Sequence, residues 1–184
     1  MVLSGCFIPE KFDARIDIHK DGSYSLTYDG ILTFVPAILA SSEGKALTAQ
    51  DETELKRICS EISKDSSIKK SEYLGNGRYK VTFLHQEKAG QAYYFVSREL
   101  FSILPQADGR IVMRSFRPGA KDLAQLKAAG AKIDGTLRIS VDSGVKVLQQ
   151  NADSTPWLNG LWGAYSWSIK SPGADPVMVV QVGH

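Results

Sequence analysis

Four residues near the start, Leu3, Ser4, Gly5 and Cys6, carry the sharpest chemical signal in the chain. A leucine, two small residues and a cysteine form a bacterial lipobox, where signal peptidase cuts before the cysteine. The Cys6 thiolate can then take a thioether-linked diacylglycerol, and the freed amine a further acyl chain. Each buried methylene contributes about 0.8 kcal/mol, so several chains anchor durably. Only Met1 and Val2 precede the motif, without the basic n-region and apolar h-region of about 7–15 residues that complete a secretory signal. The expectation is therefore an exported lipoprotein whose given start is trimmed. The alternative is an ordinary N-terminus with a cysteine in it.

No other residues assemble a catalytic set. The histidines, His19, His85 and His184, have no metal-ligand spacing, and two cysteines are too few for a structural zinc site. Gly75-Asn76-Gly77 lies between strand-like runs and makes a turn, not a helix-opening phosphate cradle. The Gly-x-Ser-x-Gly nucleophile elbow is absent. Asp13, Asp17 and Asp29 could share a sheet face as an acid/base set, but the solvated face of a half-buried sheet explains them as well. The reading is of a protein that is not an enzyme and needs no cofactor.

Two groups suit recognition. Arg114 and Arg117 flank Phe116, a cation-aromatic arrangement fitted to a phosphate, an anionic head group or a solvated strand edge. Trp157, Trp162 and Trp167 cluster late in the chain. Tyr165, Trp167 and Ile169 share an inward parity, while Trp157 and Trp162 flank Asn159-Gly160 and are expected at the surface, where aromatics meet acyl chains, sugars or proteins.

The elements that must position these residues follow from periodicity. Phe12, Ala14, Ile16 and Ile18 alternate with polar residues as a half-buried strand. Lys20-Asp21-Gly22-Ser23 turns it into Tyr24, Leu26, Tyr28, Leu32 and Phe34, with Gly30 a bulge or close-packing point. Pro36 to Lys45 is expected to hold a short helical turn. Leu55, Ile58, Cys59 and Ile62 recur at helical spacing, predicting a helix over Thr48–Lys64 with Cys59 on its buried stripe. A buried thiol there behaves as a small hydrophobe.

Ser66 to Leu74 and Arg78 to His85 read as a second hairpin, with Tyr79, Val81 and Phe83 facing one way. Gln91 to Val96, Leu100 to Leu104 and Arg110 to Phe116 supply further strands, and Lys121–Ala129 a short helix stopped by Gly130. Ile133 to Val141 alternates, and Asp142-Ser143-Gly144 is read as turning it back into Val145 and Val147. Tyr165 to Ile169 and Val177 to Val182 complete the strands. The class is α+β: a single domain with a curved antiparallel sheet of successive hairpins and two helices packed on it. Residues 1–11 are expected to be lipobox and tether, and 12–184 the globular domain.

Composition agrees. Of 184 residues, 43% are hydrophobic and 23% charged, and a net charge of +2 gives no bias toward nucleic acid. No apolar stretch is long enough to span a bilayer, which leaves Cys6 as the membrane attachment.

The order of these motifs resembles the LppM-type bacterial lipoproteins of unassigned function. The likeness is carried by the Cys6 lipobox, the Lys20-Asp21-Gly22-Ser23 hairpin, Gly135-Thr136-Leu137 leading to Asn151-Ala152, and Tyr165-Ser166-Trp167-Ser168-Ile169. The resemblance implies a curved antiparallel sheet with helices on it, exported and anchored, enclosing an apolar cavity for a lipid or glycolipid. Two functions compete. One is a cell-envelope binding module for an apolar or lipid-like ligand, with Tyr28, Phe83, Tyr165 and Trp167 lining the site and Arg114 or Arg117 at a polar mouth. The other is an envelope interaction or assembly factor that meets a protein partner through Trp157 and Trp162.

Overall fold

The first alternating run is longer than its clearest part. β1 spans Phe7–Ile18 and pairs antiparallel with β2, Tyr24–Phe34. The turn between them is closed by the His19 N–H donating to the Ser23 carbonyl at 2.9 Å, with Gly22 at a φ of 83° that its lack of Cβ permits. The Asp21 carboxylate accepts both the N–H and the hydroxyl of Ser23, at 2.9 and 2.6 Å. Residues 7–95, 101–115, 119–157 and 163–183 are described by this computed structural model. Phe7–Lys11, expected as tether, are strand, and a bulge between Pro9 and Phe12 bends β1 there.

Pro36 falls in the first turn of α1, Val35–Ser42, where its missing N–H costs nothing; the expected helical turn is a full short helix. α2, Ala49–Ile62, starts in a capping box. The Asp51 N–H donates to the Thr48 hydroxyl at 3.1 Å and the Thr48 N–H to the Asp51 carboxylate at 2.9 Å. Leu55, Ile58 and Cys59 are its buried stripe, as their spacing predicts.

The second hairpin is β3, Ile68–Gly75, and β4, Arg78–Glu87, turned by Asn76 and Gly77 at φ of 53° and 69°. There follow β5, Tyr93–Phe95, β6, Phe101–Pro105, β7, Arg110–Ser115, and α3, Ala120–Ala128. The remaining strands are β8, Asp134–Val141, β9, Lys146–Gln150, β10, Tyr165–Ile169, and β11, Val177–Gln181.

The strands form two sheets, ordered β10-β8-β1-β2-β4-β3 and β5-β6-β7-β11-β9. This is the expected α+β class with antiparallel-rich sheets; among the described residues there are two sheets and three helices, and the first sheet is mixed, because β1 pairs in parallel with β8. The Asp142-Ser143-Gly144 turn does not fold β8 back on itself. It delivers the chain to the other sheet, where β9 pairs with β11. A turn residue fixes a bend, not the strand that receives the chain.

One face of the first sheet is buried. Trp167, Leu137, Ala14, Tyr28 and Phe83 form a row across five strands, and Ile139, Ile16 and Leu26 a second. Part of that face is covered by α2, whose Leu55 carbonyl accepts the Tyr79 hydroxyl at 2.9 Å. The rest meets Ile103, Ile111, Met113, Met178 and Val180 of the second sheet in one continuous core. The opposite face of the first sheet is polar and solvated.

Candidate functional site: an apolar cavity between the sheets

Between the two sheets, beside the start of β1, lies a cavity of about 370 Å³. Its sheet walls are Phe12, Ala14 and Ile16 of β1 and Leu26 and Tyr28 of β2, facing Phe95 and Phe101 of the second sheet. Val35 and Leu39 of α1, Gln125 and Leu126 of α3, and Pro172, Ala174 and Pro176 of the β10–β11 connection close over it. The small side chain of Ala14 leaves room in the middle of the wall.

Phe12 is held by what its neighbours lack. A methyl on Gly135 would collide with its ring, and one on Gly30 would lie 2.5 Å from its Cβ and 2.7 Å from the Lys11 carbonyl oxygen. The two glycines therefore allow the Phe12 ring to lie against β8 and stack on Tyr28 at 5.7 Å. Tyr28 in turn meets Phe95 at 4.9 Å, joining the sheets at the cavity. The Tyr28 phenol is buried, its hydroxyl donating to the Ile31 carbonyl at 3.4 Å, and burial pushes its pKa far up, so it stays neutral. Among the described residues Asp122 is the one ionisable carboxylate in the wall, and it lies on the exposed side of α3. Such a chamber accepts hydrocarbon and has little to offer a charge.

Of the residues expected to line a ligand site, Tyr28 is in this wall. Phe83 lies behind it, with its ring 5.3 Å from Phe95 and 6.0 Å from Tyr93. Trp167 is buried and donates its indole N–H to the Asn151 side-chain oxygen at 2.8 Å, and Tyr165 packs half-buried against the core. Neither Trp167 nor Tyr165 lines the cavity. Arg114 is exposed on β7, beside Ser115 of the wall. Arg117, Trp162 and Cys6 lie outside the described residues. Trp157 is 81% exposed. The wall contributions of α1, α3 and the Pro172–Pro176 stretch were missed, because period and turn chemistry do not say which helix covers which strand.

The acidic residues singled out on β1 and β2 share the solvated face, each beside a partner. Asp13 receives Arg138, Asp17 receives Arg15 and Ser140, and Asp29 receives Lys80 and Thr82. The Lys80 ammonium holds Asp29 below the usual carboxylate range. These carboxylates are countered by cations instead of sharing a proton.

His85 is stacked 4.0 Å from Tyr93, with Ser67 Oγ at 3.3 Å and Glu87 at 3.2 Å. The backbone N–H groups of Ser67 and Ile68 are already given to Asp65, so that turn offers neither as an oxyanion donor. Cys59 is a free, buried thiol 3.6 Å from the Ser71 hydroxyl. Among the described residues no helix is long and apolar enough to cross a membrane.

No family model matches the chain, and no curated protein does. Among solved structures, it is similar to the folded domain of Mycobacterium tuberculosis LppM, determined by NMR. The two are 11% identical over 100% of this chain and 95% of that one, with a TM-score of 0.42.

Proposed function

We propose that this chain is an exported bacterial lipoprotein, anchored at the cell envelope through Cys6, and that it binds an apolar or lipid-like ligand without catalysing a reaction. The observation that carries the reading is the cavity of about 370 Å³ between the sheets. Its size falls in the range of about 300–1,000 Å³ typical of small-molecule sites, and its walls are predominantly aliphatic and aromatic. A void of that size lined by Phe, Leu and Ile forfeits packing unless something fills it.

Native mass spectrometry of protein purified from its own membrane tests the reading. A stoichiometric lipid-like adduct is expected, and Gln125→Trp, which adds bulk at the wall from the exposed side of α3, should abolish it while circular dichroism is unchanged. Bare protein with an open cavity would refute it.

A second reading is favoured by Trp157. An indole 81% exposed is unusual for a surface with no partner, and it fits an envelope protein that docks there. Retention of a partner by the native chain and its loss with Trp157→Ala would support this reading.

A further inference from the structure

We propose that the cavity is occupied by one acyl chain of the protein's own Cys6 anchor, folded back between the sheets. The inference rests on the reading above, that the cavity is an apolar site and Cys6 is acylated. What it adds is the identity of the occupant.

The argument starts from where the wall begins. Phe7, Ile8 and Pro9 all line the cavity, and Cys6 directly precedes Phe7 in the chain. One trans peptide separates consecutive Cα atoms by about 3.8 Å. The first residues of β1 are fixed: they pair with Phe34, Thr33 and Leu32, and the Phe7 ring packs 5.5 Å from Phe34 and 5.6 Å from Tyr79. The point of acylation is therefore one residue along the chain from the wall.

Tethering this short places an acyl chain at an effective concentration on the order of millimolar or above, which a sparingly soluble ligand free in water does not reach. The chemistry of the wall agrees. It accepts hydrocarbon, and the glycerol linkage can stay outside. A cavity of about 370 Å³ is at the small end of ligand sites, as suits a single chain better than an entire multi-chain lipid. The remaining chains of the anchor stay available to the bilayer, so the sheltered chain and the membrane compete for the same hydrocarbon. A second ligand enters only when the anchor's chain leaves.

The test uses the purified, unacylated chain, alkylated at Cys6 with N-ethylmaleimide or with N-hexadecylmaleimide and checked by peptide mass; Cys59 is buried. N-phenyl-1-naphthylamine is then titrated as an apolar probe. The ethyl form should bind one probe per chain, and the hexadecyl form at least tenfold more weakly. The same hexadecyl group on Lys146→Cys in a Cys6→Ala background, on β9 and outside the cavity wall, should leave binding intact. Equal binding by the ethyl and hexadecyl forms would overturn the anchor as occupant and leave the cavity reading standing. Loss of binding in the Lys146 conjugate as well would overturn it too, because position would not matter. No binding by the ethyl form would overturn both readings.

Discussion

The Asn151 side-chain oxygen accepts two hydrogen bonds at 2.8 Å, from the indole of Trp167 on β10 and from the backbone N–H of Val177 on β11. Because β10 belongs to one sheet and β11 to the other, a single amide fastens the two sheets at the end of the core. Its NH₂ donates to the Asp175 carbonyl, also at 2.8 Å, which fixes which way the amide points. Asn151→Ala removes all three bonds and strands a buried indole N–H. Water can replace the partner in the two exposed bonds, whereas orphaning the indole N–H costs about 1–3 kcal/mol, so urea unfolding should show a loss of about that size. A loss under about 0.5 kcal/mol would mean that the sheets are held by packing alone.

Gly30 and Gly135 make a second contrast. A methyl at Gly30 meets backbone, the Lys11 carbonyl, which cannot swing away; the atoms nearest a methyl at Gly135 belong to the Phe12 ring, which can. Gly30→Ala should therefore cost stability, about 1–3 kcal/mol as for other overpacked sites. Gly135→Ala should cost less, and by pushing the ring into the cavity should weaken N-phenyl-1-naphthylamine binding severalfold. Equal stability losses with unchanged probe binding would disprove the division.

The ion pair of Lys80 with Asp29 makes an acid-side prediction. The ammonium holds the carboxyl below its ordinary value, so its contribution is complete above the unfolded pKa of about 3.9 and is lost as pH falls through the lower folded value. The Asp29 side chain is 56% exposed, so screening limits the pair to less than about 1 kcal/mol. Lys80→Met should raise the Asp29 titration midpoint measured by NMR. The stability advantage of the unmutated protein should be present at pH 6 and decline as pH falls below about 3.9.

Trp157 is predicted to matter to partners and not to folding. With 81% of its surface exposed, Trp157→Ala should change unfolding free energy by less than about 0.5 kcal/mol. Thermal or urea unfolding checks this directly. A larger loss would show that the indole packs on its own chain and would remove the basis for a docking role.

Local rules made much of the fold legible. Asp21-Gly22 and Asn76-Gly77 each demanded a left-handed backbone, and both hairpins form there. The Leu55, Ile58, Cys59 spacing placed the buried side of α2. Partners distant in sequence were not legible. Nothing in the alternation of Asp134–Val141 says that it lies parallel to β1, because inward parity is the same whichever strand is the neighbour. The cavity shared that fate. Tyr28 was placed inward by parity, but Phe83 and Trp167 have the same parity and lie in solid core, since a void depends on how far the sheets splay. Arg114, read with Arg117 as a cationic pair flanking Phe116 at a polar mouth, is an exposed residue of β7 next to Ser115 of the wall.

The parallel contact between β1 and β8 has a consequence for the order of assembly. Arg15 faces Arg138 across that ladder, and Asp17 faces Ser140, so more than half the chain separates neighbours at the centre of the sheet. The β1–β2 hairpin can close as soon as it emerges, but the other edge of β1 has no native partner until β8 arrives. Contacts of such long sequence separation slow folding, and an unpaired central strand is exposed to wrong partners in the interval. A chain made from its N-terminus must therefore hold β1 incomplete until β8 emerges, and its slowest folding step should be the docking of β8 onto β1.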